Sequence, residues 1–355
     1  MAGEIYGNMG EPFGVADYAY FDKMFLKNVV QNTKYDRMAT IRKELPQKNS
    51  NKIEVRRWIE LKYLMLGGGV NSEMTGINPE VTGEDLLLSL PEGAYNDYVL
   101  AEGSSGNQAP NMKRIKKEAE VFFMGTWNTY TEEVGLFDSK WTVQEELRQH
   151  SEVASLLIDA YYRDVMSNGA GIVYDLSDNN VGDPEFTQAN KRVGNTLYLT
   201  GSKSTGHMIS ASLKYGTVPV YLDYVADAHP NLIQAIADSN PDWVPVEKYA
   251  PNQADRLEDE IGKIGNIRYR RNPNALVEKG DEDGEYIGTI LIYGRDHTAQ
   301  IPVRGKKRLQ TIVNPLGKDS KDHLRRVGSL GWKALLGAMV VYPERLAKIK
   351  IKFNY

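Results

Sequence analysis

The sequence predicts an α+β protein, and three observations predict it. A long amphipathic helix lies at mid-chain, and segments with period-two alternation stand on both sides of it. Helix and strand signals follow one another without a repeated βαβ rhythm, which argues against a doubly wound sheet. The 355 residues allow two or more domains and a sizeable core.

Composition removes several classes of function. With 43 Lys and Arg against 47 Asp and Glu, the net charge of −4 lacks the basic excess of a dedicated nucleic-acid binder. The absence of cysteine excludes disulfides, thiolate catalysis, zinc fingers and iron–sulfur ligation. No apolar run is long enough to span a bilayer, and residues 1–14 lack the basic start and apolar core of a signal peptide. A soluble protein made in a cytoplasm, without a membrane partner, is expected. The 21 tyrosines outnumber the 8 phenylalanines, a bias suited to half-buried interface surfaces.

Taken in order, residues 1–15 are glycine-rich and polar without a period and read as an extended arm. A short helix is expected over 17–28, with Tyr18, Phe21, Phe25 and Val29 on one side, and another over 35–45, ended by Pro46. Residues 53–61 alternate as a strand: Ile53, Val55, Ile59 and Leu61 on one face, Glu54, Arg56, Trp58 and Glu60 on the other. The next strand signal, 119–131, lies beyond a stretch dense in Gly, Asn, Ser and Pro. So long a structureless insertion is rare inside a compact domain, and two strands around it predict a projecting hairpin arm.

The long helix is expected over 142–166. Val143, Leu147, Ala154, Leu157, Ile158, Tyr161 and Val165 share one face, against Gln144, Arg148, Glu152, Ser155, Asp159 and Arg163 on the other. Thr142 and Glu145 read as a capping box, and Asn168-Gly169 as a left-handed stop. At 1.5 Å per residue the helix spans roughly 35–40 Å.

Beyond it, 172–174 and 196–200 read as short strands flanking a polar loop, and 216–222 as another strand. Residues 230–238 form a helix with Pro230 in its first position. Residues 255–261 read as an acidic helix or turn; 267–271, 287–293 and 300–303 as strands; 330–342 as a buried strand or strand pair; 345–353 as an alternating final strand.

The search for chemistry is negative. Residues 200–206 lack the glycine spacing of a phosphate-binding loop, and neither an H-E-x-x-H nor a G-x-S-x-G motif occurs. His297 beside Asp296 is the one base and orienter pair, though isolated histidines are more often ordinary loop residues. Asp255, Glu258, Asp259 and Glu260 have the composition of a cation site but read better as a solvated face. Basic groups at 268–271, 304–308 and 325–326 lack interleaved aromatics and read as interface ion-pair partners. No catalytic site, cofactor or metal is expected, which favours a structural protein.

From residue 258 onward the order of motifs becomes specific. Glu260-Ile-Gly-Lys-Ile-Gly-Asn-Ile-Arg-Tyr269, a strand ending Gly294-Arg-Asp296, Gly331-Trp-Lys333 and Tyr342-Pro-Glu-Arg-Leu346 resemble the major capsid proteins of tailed bacteriophages, most closely the coliphage N-four branch. Residues 52–61, 76–80 and His229-Pro-Asn231 also fit; the stretch between the arm strands is longer than usual and 201–228 abbreviated.

The resemblance implies the Hong Kong 97 capsid fold. Its N-terminal arm would be 1–50 and its extended loop 51–138. A peripheral domain would take 139–195 and 285–338, with the spine helix at 142–168, and an axial domain 196–284 and 339–355. It implies self-assembly into pentamers and hexamers of an icosahedral or prolate shell around double-stranded DNA, in a virion assembled in host cytoplasm. Scaffolding, portal and decoration proteins would be further partners, and packaged DNA would be contacted non-specifically. Trp58 and Trp127 would anchor contacts between subunits. Arg56 and Arg57 would pair with acidic patches such as Asp255, Glu258 and Glu260. An encapsulin-type shell and a soluble α+β enzyme with a site near Asp296 and His297 stand as alternatives.

Overall fold

The computed structural model describes residues 23–29, 32–46, 50–58, 114–133, 143–199, 223–250, 256–282, 284–314, 316 and 326–354. Its strands are β1 (Ile41–Arg42), β2 (Lys52–Trp58), β3 (Arg114–Glu120), β4 (Phe122–Thr131), β5 (Ile172–Asn180), β6 (Tyr224–Ala228), β7 (Trp243–Pro245), β8 (Glu260–Ile264), β9 (Ile267–Arg271), β10 (Val277–Lys279), β11 (Glu285–Tyr293), β12 (Thr298–Gln300), β13 (Leu309–Asn314), β14 (Val327–Leu336), β15 (Ala338–Val340) and β16 (Leu346–Asn354). The helices include α1 (Tyr35–Met38), α2 (Val143–Gly169), α3 (Pro184–Leu199), α4 (Pro230–Ser239) and α5 (Val246–Tyr249), and residues 23–29 are helical as well.

An eight-stranded mixed sheet runs β5-β16-β11-β6-β9-β8-β7, with β10 added to β11. Its central strand β6 is buried on both faces, and so is β11 from Gly288 onward, which explains their unbroken apolar runs. On β16, Leu346, Ile349, Ile351 and Phe353 are buried and the alternating lysines are not, as the period predicts. Helices α3 and α4 pack on this sheet through Phe186, Val193 and Leu197 and through Leu232, Ile233 and Ile236.

A second core forms where α2 lies on the antiparallel sheet β13-β14-β4. Leu147, Ala154, Ile158, Tyr162 and Met166 of the helix meet Leu330, Trp332 and Leu336 of β14, all closed to solvent. Each large side chain buried this way contributes about 1.5–3 kcal/mol. A third, smaller cluster seats the β2–β3 hairpin: Val55 and Ala119 pack with Ile301, Met339 and Val341 beside the sheet β1-β12-β15.

The long helix is present, but rotated from its expected facing. Ser155 and Asp159, expected outside, are 2% and 0% exposed, whereas Leu157, expected inside, is 38% exposed. The buried stripe follows 147, 151, 154, 155, 158, 159, 162 and 166, because small or hydrogen-bonded polar residues fit against the sheet better than a second row of leucines. Glu145 bonds Arg148 and Gln149; its capping partner Thr142 lies outside the described residues.

Residues 184–199 correct the sequence reading: they form α3, not a loop running into a strand. Phe186, Ala189, Asn190, Val193 and Leu197 recur at helical spacing and are buried, so tertiary burial overrides a polar composition. The helix expected over 35–45 is the single turn α1, after which β1 runs parallel to β12.

Strands β5 and β11 flank β16 in the eight-stranded sheet and α3 packs on it. Strand β15 pairs with β12 in the small sheet. The arm over 1–15, the insertion over 59–113 and the strand expected over 216–222 lie outside the described residues.

Candidate assembly surface

The hairpin β2–β3 sorts its charges by the period of two. Antiparallel register sets Arg56 opposite Lys116 and Trp58 opposite Arg114 on the outer face. Trp58 is 51% exposed, and the Arg114 guanidinium carbon stands 4.5 Å above its ring centre, so the outward end is cationic and aromatic together. Glu54 pairs with both Arg56 and Lys116.

The inner face carries two more cations, and both find partners within the chain. Arg57 Nη1 donates to Glu344 Oε1 at 2.6 Å and the guanidinium covers the Tyr342 ring, while Lys117 Nζ donates to the Val340 carbonyl. Arg57 is therefore turned inward, and its charge is met by Glu344.

The second surface is the outer face of β13-β14-β4. Alternation sends Tyr130 inward and Phe123 and Trp127 outward, where they are 72% and 71% exposed, with Ile312 nearby at 39%. Trp127 stands directly opposite Gly331. A Cβ on Gly331 would come within 2.7 Å of both the Thr126 carbonyl and the Trp127 Cβ, so only glycine lets the two strands approach with the indole in place. Gly125, Trp127, Ile312, Asn314 and Gly331 line a shallow groove of about 250 Å³ there. Among the described residues, β4 and β13 are the outer strands of this sheet.

A third apolar set lies on α2, where Val153, Leu156 and Leu157 are exposed beside the Glu145–Arg148–Glu152 ladder. The hydrogen bond from Arg148 holds the Glu145 carboxyl down at about 2.

The acidic cluster divides. Glu258 is largely exposed and pairs with Arg37 at 3.2 Å; Asp259, at a positive φ of 60°, pairs with Lys34. Glu260 is buried, accepting from the Tyr249 hydroxyl at 2.6 Å and the Leu257 amide at 2.7 Å, and so serves the interior. Asp255 lies outside the described residues. Of the expected contact residues, Arg56, Trp58, Trp127 and Glu258 are at the surface, and Arg57 and Glu260 are not. Sequence reasoning missed Phe123, Arg114 and Lys116, although the alternation of 114–131 carries all three.

No protein-family model and no curated protein matches the sequence. Solved structures are. The capsid of Ralstonia phage GP4 superposes with a TM-score of 0.52 at 12% identity, covering 91% of each chain. The capsid of cyanophage P-SCSP1u gives 0.51 at 7% identity, over 91% of this chain and 89% of the other. The mature capsid of bacteriophage PhiM1 gives 0.50 at 11% identity, over 99% and 92%. This is the Hong Kong 97-type capsid fold.

Within the Hong Kong 97-type fold the alternative site at Asp296 and His297 loses its geometry. His297 is fully buried, its Nδ1 lies 2.7 Å from Thr298 Oγ1, and its ring stacks on Tyr293. Asp296 turns away at a φ of 59°, toward Arg295 and Thr40. A base sealed from solvent and without its orienter reaches no substrate. Among the described residues, no group of three or more His, Asp and Glu side chains is placed to hold a metal, and no helix is long and apolar enough to cross a membrane.

Proposed function

We propose that this chain is a major capsid protein of a tailed bacteriophage, assembling as pentamers and hexamers into an icosahedral or prolate shell around double-stranded DNA. The observation that carries the reading is the Hong Kong 97-type fold, shared over about nine-tenths of both chains with phage capsid proteins. The C-terminal motifs from Glu260 to Leu346 favour the coliphage N-four branch. In this reading α2 is the spine of the peripheral domain, β2–β3 is the root of the extended loop, and the eight-stranded sheet is the core of the axial domain.

The surfaces suit that role. Phe123 and Trp127 would cost a lone subunit solubility and gain their use when a neighbour covers them. The outward Arg56, Arg114 and Lys116, beside Trp58, present cations to an acidic surface of the next subunit, with Glu258 and Asp255 as partners. Contacts in such a ring are heterologous, so different patches meet and the rotation closes. A mildly acidic chain limits adhesion to packaged DNA. Scaffolding, portal and decoration proteins are further proposed partners.

Replacement of Trp127 by Ser tests the reading. Soluble, folded subunits whose shells are lost or malformed support it; full-yield shells from Trp127→Ser and Trp58→Ser alike would remove these residues from the contacts.

A further inference from the structure

Four consecutive side chains of the turn 34–37 point to different parts of the molecule. Lys34 Nζ bonds the Arg271 carbonyl and Asp259 at the end of the eight-stranded sheet, and Arg37 reaches Glu258 beside them. The Tyr35 ring is buried in the core between α2 and β14. Asp36 accepts two hydrogen bonds from Arg308 at 2.8 Å and one from Gln300 at 2.7 Å, on the small-sheet side.

The turn is held from α2 by one carboxylate. Asp159 Oδ1 accepts the backbone amides of Lys34 at 2.9 Å and Tyr35 at 2.7 Å, and Oδ2 accepts Asn274 Nδ2 at 2.8 Å. Its side chain is 0% exposed, and all three of these donors are neutral. A carboxylate buried among neutral donors is retained where its acceptors are needed. Burial pushes the Asp159 carboxyl up, against the hydrogen bonds it accepts. Arg163, one turn on, secures the same corner by donating to the Asn274 carbonyl at 3.1 Å.

We propose that residues 34–38 are a bolt that fixes the angle between the α2 module and the eight-stranded sheet, with Asp159 as its socket. Apolar packing also crosses this boundary, through Val225, Leu291 and Leu346. Such packing resists separation but tolerates sliding, whereas directed hydrogen bonds to three elements fix one orientation. Drawing the turn out would leave the modules attached and free to re-angle. The proposal concerns the single chain and does not depend on its forming a shell.

The chain has no cysteine, so one introduced at exposed Val153 of α2 and one at Asp238 of α4 are unique sites for spin labels. Labelled full-length chain, diluted into unlabelled chain, reports the distance between the modules by electron–electron double resonance. Hydrogen exchange at 34–38 reports the bolt itself.

In Asp159→Ala, exchange at Lys34 and Tyr35 should rise at least about ten-fold and the distance distribution should broaden or shift. In Asp159→Asn, whose carbonyl still accepts both amides and whose NH2 can donate to Asn274 once that carboxamide turns over, both readings should stay near the parent's. A released turn with an unchanged distance distribution would overturn the proposal, as would unchanged exchange in Asp159→Ala. If Asp159→Ala does not fold, Asp36→Ala frees the turn from its 17%-exposed end; a broadened or shifted distance distribution supports the proposal and an unchanged one overturns it.

Discussion

Arg57 in β2 and Glu344, just before β16, form an ion pair 2.6 Å long with side chains only 6% and 8% exposed. They form a polar link between the hairpin root and the body of the protein, beside the Tyr342 ring. Breaking a buried pair from one side leaves an uncompensated charge. Glu344→Ala or Arg57→Ala should therefore lower stability by about 3–5 kcal/mol. Replacing both by apolar residues of similar volume should recover most of that loss. Urea unfolding of the two single variants and the double variant reads it.

Trp127 and Gly331 separate stability from assembly. Gly331→Ala forces a Cβ to 2.7 Å from the Thr126 carbonyl, and the expected loss is about 1–3 kcal/mol in thermal or urea unfolding. Trp127→Ala removes a side chain 71% exposed and should change subunit stability by less than about 0.5 kcal/mol while impairing assembly. Equal stability losses in both would mean that the indole serves the fold.

The rotation of α2 gives a direct packing test. Ala154 is fully buried and Leu157 is 38% exposed, although both were expected on the inner face. Ala154→Leu should cost about 1–3 kcal/mol by overpacking, and Leu157→Ala less than about 1 kcal/mol. The reverse order of midpoints would restore the original facing.

Acid should destabilise the protein through His297. Burial lowers its folded-state pKa to about 3 from 6.5, so below pH 6.5 the unfolded chain takes up a proton that the folded chain refuses. The contribution is complete above about pH 6.5 and is lost progressively toward about pH 3. His150 and His229 are lowered in the same direction by burial, while Asp159, raised by burial, acts oppositely. Stability measured from pH 7 to pH 4 should fall less steeply in His297→Gln; an unchanged slope would contradict the burial argument.

Elements with a clean period were legible in the sequence. The alternation of 346–354, the Pro230 start of α4 and the apolar run of β11 all appear where their residues predict. The period also held information that residue type concealed. Arg57 falls on the Ile53 and Val55 face, so its burial follows from alternation once charge is not taken as proof of exposure. Asp159 and Asn190 sit on buried helix stripes for the same reason, each satisfied by hydrogen bonds. Composition misled at 184–199, where spacing marked a helix and polarity suggested a loop. Pairings between distant strands, such as β1 with β12 or β5 with β16, have no local signal and were not legible.

The decisive measurement is electron microscopy of the purified chain over a range of concentrations, alone and with a co-expressed scaffolding protein. A capsid protein is expected to yield pentameric or hexameric rings or closed icosahedral or prolate shells in at least one condition, and Trp127→Ser to abolish or deform them. A folded monomer or fixed small oligomer in every condition would contradict the shell function while leaving the fold intact.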